Sequence, residues 1–597
     1  MKTIYKRNNK LIYQLFTIWG FIRKKRKLQL LCALVLMNIN GILEFLTLTS
    51  GIPFIRVLIN PQTLLENKYI AFLGISNNQQ LFFIIPILFG TLAAIASFIR
   101  ILNLWINGRL SAAISTDISS QSYKNLLLQD YKFHLNQKSN EIINSLSLDI
   151  SKFQGLIKTI LNLITSLIIC IAIFTTMAFI NWKLTFSIGF IIGLVYFLIL
   201  KFCKKTLSNN SKTITRCNDL QFKYIQEGLG AIKDIILNQT HHIYINNYRK
   251  NDIPLKVAMV DNKFLTLVPR FAIEGFILFL ISLYTLYVLN FTSMDISKNL
   301  PILGALILGA QRILPAIQLI YTSLAQIQST RTSLKRILFF LNLNNHNFED
   351  NIEYFPKFEK NVVFDNVSFE YEKNGENILK EISFTITKGE KIGIIGTTGS
   401  GKSTLLDLFM GLSKPSRGFI YVDGIDINDD KNIINLKRWH KSISHVPQKL
   451  FFTNSSIAEN IAFGEPKGLI NFKRVKKVSN LARISEFIES KKFGYKTLIG
   501  ERGINLSGGQ LQRVGIARAL YRNPKVLILD EITSALDTKT EKEVLSSIRL
   551  LEKGITVLII AHRKSTLKDC DKVIQLEDGK IKKIFLKSEL DSDEFNS

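Results

Sequence analysis

This sequence of 597 residues contains few cysteines and comparatively few acidic side chains. Its five cysteines form no C-x-x-C pair and show no metal-ligand spacing, which argues against a disulfide framework and against a cysteine-based metal site. Asp and Glu number 47 against 76 Lys and Arg, so the formal net charge is +29. A balance this basic fits either nucleic acid or an anionic membrane surface, and the distribution of the charges has to decide between them.

The apolar residues indicate a membrane protein with more than one domain. Hydrophobic residues make up 47% of the chain, and 597 residues exceed what one core can organise. Six apolar runs near the ~20 residues that span a bilayer occupy the first half. No small-residue cleavage site follows the first run, so we predict a transmembrane helix there and not a signal peptide. The six runs are Leu28–Ile59, Leu81–Trp105, Ile157–Ile180, Leu184–Phe202, Leu267–Phe291 and Leu300–Tyr321.

The basic residues predict the orientation of these spans. They crowd the N-terminal segment, which includes residues 23–27, and the connection 201–263, whereas the short connections hold few. By the positive-inside rule both termini and the two long connections are cytoplasmic. The charge is then largely a membrane signature, and we expect no nucleic-acid partner. Residues 118–156 and 206–247 have helical spacing and predict long cytosolic extensions. We expect no peptidase domain ahead of the first span, because only a short basic segment precedes Leu28.

Charged residues within the apolar runs are candidate substrate contacts, because such charges are rare and costly in a bilayer. Glu44 in the first span and Arg312 in the sixth lie at similar depths, and we predict that they pair or face a common cavity. Arg270 and Glu274 have i,i+4 spacing and could pair locally. The functional interpretation is that Arg312, with Arg100, binds an anionic head group. The alternative is structural ion pairing, or a position beyond the bilayer.

The stretch from Lys391 to Leu412 predicts a nucleotide site. An apolar strand, a glycine-rich loop of the form G-x-x-x-x-G-K-S and an apolar-periodic helix follow one another, as a phosphate-binding P-loop requires. Glycines let backbone N–H groups surround phosphate, Lys402 reaches the β- and γ-phosphates, and the Ser403 hydroxyl is placed to hold Mg²⁺. The candidate ATP-binding residues here are Gly396, Thr397, Thr398, Gly399, Ser400, Gly401, Lys402, Ser403 and Thr404.

Residues downstream of this loop supply the rest of a hydrolytic site. The strand Val526–Leu529 ends in Asp530, which suits Mg²⁺, and Glu531, which suits a general base for the attacking water. Gln448 follows a Val-Pro step where its amide could contact Mg²⁺. His562 follows another predicted strand and could contact the γ-phosphate. Taken singly each residue has an ordinary structural interpretation, but their joint order makes chance improbable.

A second phosphate-binding element opens a helix at Ser507, Gly508, Gly509 and Gln510. Small residues and free amides at a helix N-terminus favour phosphate. One domain cannot apply both elements to one nucleotide if they lie on distant faces. We therefore predict a head-to-tail homodimer in which each ATP lies between two copies.

These motifs resemble the ATP-binding cassette (ABC) transporter family. LSGGQ, QRVGIARAL, DEITSALD and IIAHR occur in the family order, and six spans before one cassette resemble its exporter-type half-transporters. The resemblance implies a helical membrane domain at 1–340, a linker at 341–360 and an α/β P-loop ATPase domain at 361–597. It also implies that Tyr371 stacks on adenine and that Asp537 communicates across the dimer.

Phrases in the membrane half resemble the PglK type, the bacterial flippases for lipid-linked oligosaccharides. They are Gly41–Glu44 with Ile52–Phe54, Phe133–Asn136, Pro269-Arg270 with Glu274, and Leu308–Arg312. That resemblance implies ATP-driven flipping of a polyprenyl-pyrophosphate glycan. The alternatives are a multidrug or lipid A exporter, a soluble nucleic-acid-linked ABC ATPase, and a regulatory or channel protein on an ABC scaffold.

Overall fold

The structure, a computed structural model, describes residues 11–59, 78–180, 182–291, 296–343, 358–371, 375–429, 433–500, 505–531, 543, 554–561 and 567–590. The chain divides into two compact units. The first consists of residues 1–129 and 133–348, and the second of residues 130–132 and 349–597.

Six long helices dominate the first unit, and each contains one of the six predicted apolar runs. They are α2 (Lys24–Ile59), α3 (Asn78–Leu127), α6 (Ile150–Ile180), α7 (Trp182–Gly230), α9 (His241–Phe291) and α10 (Ile296–Ser329), after a short α1 (Leu11–Phe21). Within the described residues, three segments are long and apolar enough to cross a membrane: Lys24–Ile55, Gln79–Leu127 and Ser139–Phe179. The other three runs also lie within single long helices, so the helical prediction holds for all six.

The two long connections are helical, as predicted from their periodicity. Between α3 and α6 lie α4 (Tyr131–Asn136), α5 (Ser139–Asn144) and a turn of π-helix (Ser145–Asp149). Between α7 and α9 lies α8 (Ile232–Leu237). After α10, α11 (Arg331–Leu341) buries Leu334, Ile337, Leu338 and Leu341 in a core shared with α1, α2, α3 and α6. Asn125 on α3 donates to the carbonyls of Phe340 and Leu341, which anchors the end of α11.

Ion pairs set the register between α2 and α3, which run antiparallel. Arg26 Nε donates to Asp117 Oδ2 at 2.9 Å, and Arg100 Nη2 lies 2.5 Å from Glu44 Oε2. The two pairs are 18 residues apart on α2 and 17 apart on α3, or about 26 Å along each helix. The start of α2 therefore lies beside residues well past the predicted inner end of the second span. The first apolar run therefore begins beside a part of α3 that lies beyond the second apolar run.

The second unit is built from two sheets. A four-stranded antiparallel sheet has the order β2-β1-β4-β5, and a six-stranded sheet has the order β10-β9-β3-β8-β7-β6. The strands are β1 (Asn361–Phe369), β2 (Leu379–Thr387), β3 (Lys391–Gly396), β4 (Arg417–Val422), β5 (Ile425–Asp426), β6 (Ile443–Val446), β7 (Val526–Asp530), β8 (Thr556–Ile560), β9 (Lys572–Glu577) and β10 (Lys580–Leu586).

The helices of this unit cover both faces of the larger sheet. They are α12 (Lys402–Phe409), α13 (Ile433–Ser442), α14 (Ile457–Ile461), α15 (Phe472–Leu481), α16 (Ser485–Glu489) and α17 (Gly508–Tyr521). Val526 and Ile528 of β7 join one core, and Leu527 and Leu529 join the other. A parallel strand buried on both faces is a continuous apolar run. Strands β3, β6, β7 and β8 are parallel, so their carboxyl ends meet at one edge.

A buried histidine makes the stability of the second unit depend on pH. His445 on β6 has a buried Nε2 with no hydrogen-bond partner among the described residues, and burial lowers its pKa from the usual 6.5 to about 4. The unfolded state then binds more protons between these values, so stability is lost as the pH falls through that window. We expect this group to cost about 2 kcal/mol between pH 7 and pH 5. Denaturant unfolding at both pH values should show a smaller difference for His445→Leu, and an unchanged difference would contradict the assignment.

Candidate functional site

The loop after β3 has the geometry of a phosphate cradle. A Cβ on Gly396 would lie 2.4 Å from the carbonyl oxygen of Leu576 and 2.6 Å from Ser400 Oγ, so no side chain fits there. Gly401 has φ +97°, a conformation that favours glycine, and it begins α12. The backbone therefore keeps the loop close to the sheet and directs the start of α12 toward the loop.

Lys402 is held by the loop that it follows. Its Nζ donates to the carbonyls of Gly396 at 2.8 Å and Thr397 at 2.9 Å. Burial lowers the pKa of Lys402, while the nearby charges of Glu531 and Asp530 act in the opposite direction. Ser400 is buried, and its Oγ has no hydrogen-bond partner within the part of the chain that the structure describes. A buried ammonium and an unpaired hydroxyl beside a helix N-terminus fit an incoming polyphosphate.

Glu531 stands at the carboxyl end of β7 in a fixed and unusual conformation. Its φ is +49°, which is uncommon for a residue with a side chain. Its N–H donates to the carbonyl of Ile560 on β8 at 3.0 Å, which ties the residue to the neighbouring strand. Gln448 Nε2 donates to Glu531 Oε2. The structure thus brings together two of the predicted residues from segments 83 positions apart.

Tyr371 stands beside the first turn of α12. Its hydroxyl lies 3.3 Å from Thr404 Oγ1, and its ring meets Phe369 edge-on with centroids 5.0 Å apart. The residue is 41% exposed, so it is not enclosed by the core. This position relative to the P-loop helix suits an adenine contact.

The predicted second phosphate element forms the start of α17. Ser507 Oγ accepts from the N–H of Gln510, and Gln510 Oε1 accepts from the N–H of Ser507, which is a reciprocal capping box. The helix packs against β6, and β8 and β7 separate β6 from β3. Three strand spacings amount to about 14 Å. Two further candidates, His562 and Asp537, lie outside the described residues.

Three charged residues of the first unit form an ion-pair cluster. Glu44 Oε1 lies 2.8 Å from Arg312 Nη1, and Glu44 Oε2 lies 2.5 Å from Arg100 Nη2. The predicted pairing of Glu44 with Arg312 is therefore present, and Arg100 on α3 completes it. Arg100 is five residues, about 8 Å, from Trp105 at the end of its apolar run, and Arg312 is nine residues, about 14 Å, from Tyr321 at the end of its run.

Arg270 stands apart from this cluster. Within the described residues the structure records no ion pair between Arg270 and Glu274, so the local pair considered from their spacing does not form. The Arg270 guanidinium lies 5.9 Å from the ring centroid of Phe271 instead.

A second charged cluster in the extensions of the first unit has no counterpart in the sequence analysis. Arg336 on α11 donates through Nη1 to Asp219 Oδ1 at 2.9 Å and pairs through Nη2 with Asp219 Oδ2. Its Nη1 also lies 3.6 Å from Asp149, whose side chain is 1% exposed. Asn144 donates to Asp219 as well. These side chains come from segments far apart in sequence, and no local spacing could have predicted the cluster.

Two family models match the chain. One, described as ABC transporter, matches residues 379–534, and the other, described as ABC transporter transmembrane region, matches residues 39–305. Together they include the P-loop, Gln448 and Glu531, and also Glu44 and Arg100 of the membrane cluster.

Curated relatives and solved structures extend the similarity over most of the chain. An ATP-dependent lipid A-core flippase of Pasteurella multocida is 28% identical over 81% of this chain and 82% of its own length. The heterocyst differentiation ATP-binding protein HepA of Nostoc sp. is 30% identical over 78% of this chain and 75% of its own length. The fold is similar, with a TM-score of 0.77 and 21% identity, to a bacterial Atm1-family ABC exporter with ATP bound, covering 94% of this chain and 96% of that one.

Proposed function

The chain belongs to the ABC transporter family, as an exporter-type half-transporter whose membrane domain is fused to an ATP-hydrolysing domain, and we propose that it flips a lipid-linked anionic substrate across the membrane. The substrate class that we favour is a polyprenyl-pyrophosphate-linked oligosaccharide. The alternative is a multidrug or lipid A exporter of the same architecture, and a relative named as a lipid A-core flippase lends it weight.

The observation that carries this proposal is the cluster of Arg100 and Arg312 around Glu44. Two guanidiniums and one carboxylate leave one positive charge in the inner half of a bilayer core of about 30 Å. Guanidinium donors match phosphate oxygens in geometry as well as in charge. An uncharged drug would gain nothing from this charge, whereas the phosphates of an inner-leaflet lipid would. Arg270 is a further candidate contact on α9.

The proposed ATP site uses the P-loop after β3 and the residues that follow or end β6 and β7. Lys402 and the N–H groups of the Gly396–Ser403 loop bind the phosphates, and Tyr371 stacks on the base. Ser403, Gln448 and Asp530 would hold Mg²⁺, which would neutralise the phosphate charge. Glu531 orients and polarises the attacking water, and Gln448 positions its carboxylate. His562 contacts the γ-phosphate in the same scheme.

A homodimer completes each site. The distance across the sheet from the P-loop strand to α17 supports the proposal that Ser507–Gln510 of a second copy close over the nucleotide. Asp537 would communicate between the two copies across the dimer. We place the chain in a bacterial inner membrane with both termini and the ATPase unit in the cytoplasm, and with no nucleic-acid partner.

The test is reconstitution of the purified protein in liposomes with a fluorescent polyprenyl-pyrophosphate glycan. Wild-type protein should move it between leaflets with ATP, and Glu531→Gln should not. Arg312→Gln should lower flipping while ATP hydrolysis without substrate continues. ATP hydrolysis without movement of any of several lipid-linked glycans would refute the substrate class, and lipid A and drugs would then be tried.

A further inference from the structure

Glu44 differs from its two arginine partners in its access to other molecules. Its side chain is 2% exposed, while those of Arg100 and Arg312 are 53% and 34% exposed. Each guanidinium meets the carboxylate through one terminal nitrogen. Since a guanidinium has five N–H donors, both arginines keep donors that a ligand can reach while Glu44 itself cannot be reached.

The carboxylate therefore acts on any anion that binds these arginines without needing to touch it. We propose that Glu44 is an internal counter-ion that weakens the binding of the anionic head group and so allows its release. This inference rests on the proposed function, because it takes the arginine cluster as the head-group site. A carboxylate within a few ångströms of a bound phosphate repels it strongly in a medium of low dielectric.

The surroundings of Glu44 leave this role to its carboxylate alone. Helices α3, α6 and α10 pack against α2. Helix α3 contributes Arg100 and helix α10 contributes Arg312, and both pair with Glu44. Helix α6 approaches α2 where Ile168 faces Gly41. In the part of α6 that follows Lys158, the single ionisable side chain is that of Cys170. Within the described residues, the recorded ion pairs of Glu44 are thus those with the two arginines.

Two consequences follow for transport. With Glu44 present, its carboxylate offsets part of the positive charge of the empty site. The arginines return to the carboxylate when the head group leaves. Without its charge, the site carries two uncompensated guanidiniums and should hold an anion too tightly. A transporter needs binding weak enough to permit departure, so tighter binding should accompany slower turnover.

The experiment compares Glu44→Gln with wild type in nanodiscs, using a short-chain prenyl pyrophosphate as the probe. We expect its Kd to fall roughly tenfold, while the KM for flipping of a fluorescent analogue and its maximal rate both fall. Glu44→Asp keeps the charge and should bind nearly as wild type does. Glu274→Gln, which removes a carboxylate of α9 that has no recorded pair with either arginine, is the matched control and should leave the Kd unchanged.

If Glu44 had a purely structural role, the Kd of Glu44→Gln for the probe would rise and not fall, because a disordered arginine pair binds the probe less well. Weaker or unchanged binding in Glu44→Gln overturns the inference, as does equal tightening in Glu44→Asp. If Glu44→Gln does not fold, Arg100→Gln and Glu44→Gln/Arg100→Gln give the same comparison, and the double variant should bind more tightly. Failure of the wild type to bind the probe would instead refute the head-group site, and the inference with it.

Discussion

Replacement of Glu531 by glutamine is expected to lower the rate of ATP hydrolysis about 10²- to 10⁴-fold, the usual contribution of a general base. The amide keeps the shape of the side chain and can still accept the hydrogen bond from Gln448 Nε2. It cannot polarise water. ATP binding should persist because Lys402 and the loop glycines are unchanged.

Phosphate release and binding of a labelled nucleotide, measured on the same preparation, separate these effects. Glu577→Gln changes an exposed glutamate on β9 and serves as the matched control. A variant of Glu531 that hydrolyses ATP close to the wild-type rate would show that another group activates the water. Loss of both hydrolysis and binding would point to a structural defect at the end of β7.

Replacement of Arg336 by methionine is expected to destabilise the first unit by about 3–5 kcal/mol, because it leaves buried carboxylates without their cation. Asp149 is almost fully buried, and Asp219 loses both of its contacts with the guanidinium. Methionine preserves the apolar stem of the arginine side chain, so the loss of stability measures the effect of removing the charged guanidinium. Unfolding of the detergent-solubilised protein with rising denaturant measures it.

A double-mutant cycle makes this second prediction specific. Asp219→Asn removes one of the unpaired charges, so it should cost less in the Arg336→Met background than in the wild type. Additive losses would mean that the two side chains do not stabilise each other. Arg249→Met, at an exposed arginine of α9, makes the same substitution away from this cluster and is the control.

Features that depend on short-range spacing could be predicted from the sequence. A run of about 20 apolar residues must form a helix in a bilayer, and each of the six runs lies in one helix. The P-loop partly encodes its own turn, because the left-handed backbone at Gly401 is a local requirement. The lack of room for a side chain at Gly396 also depends on the carbonyl of Leu576 on β9. The strand that ends in Asp530 followed from an unbroken apolar run buried on both faces.

The tertiary structure alone decided which distant side chains meet. Depth along the helices predicted that Glu44 faces Arg312. The ion pair between Arg100 and Glu44 appears only in the folded chain. The same is true of the ion pairs that Arg336 forms with Asp149 and Asp219. The reason is geometric. One residue turns a helix by about 100°, so a small error in register moves a side chain to another face. The i,i+4 spacing of Arg270 and Glu274 permitted a pair that the folded helix does not form, and the Arg270 guanidinium lies over the ring of Phe271 instead.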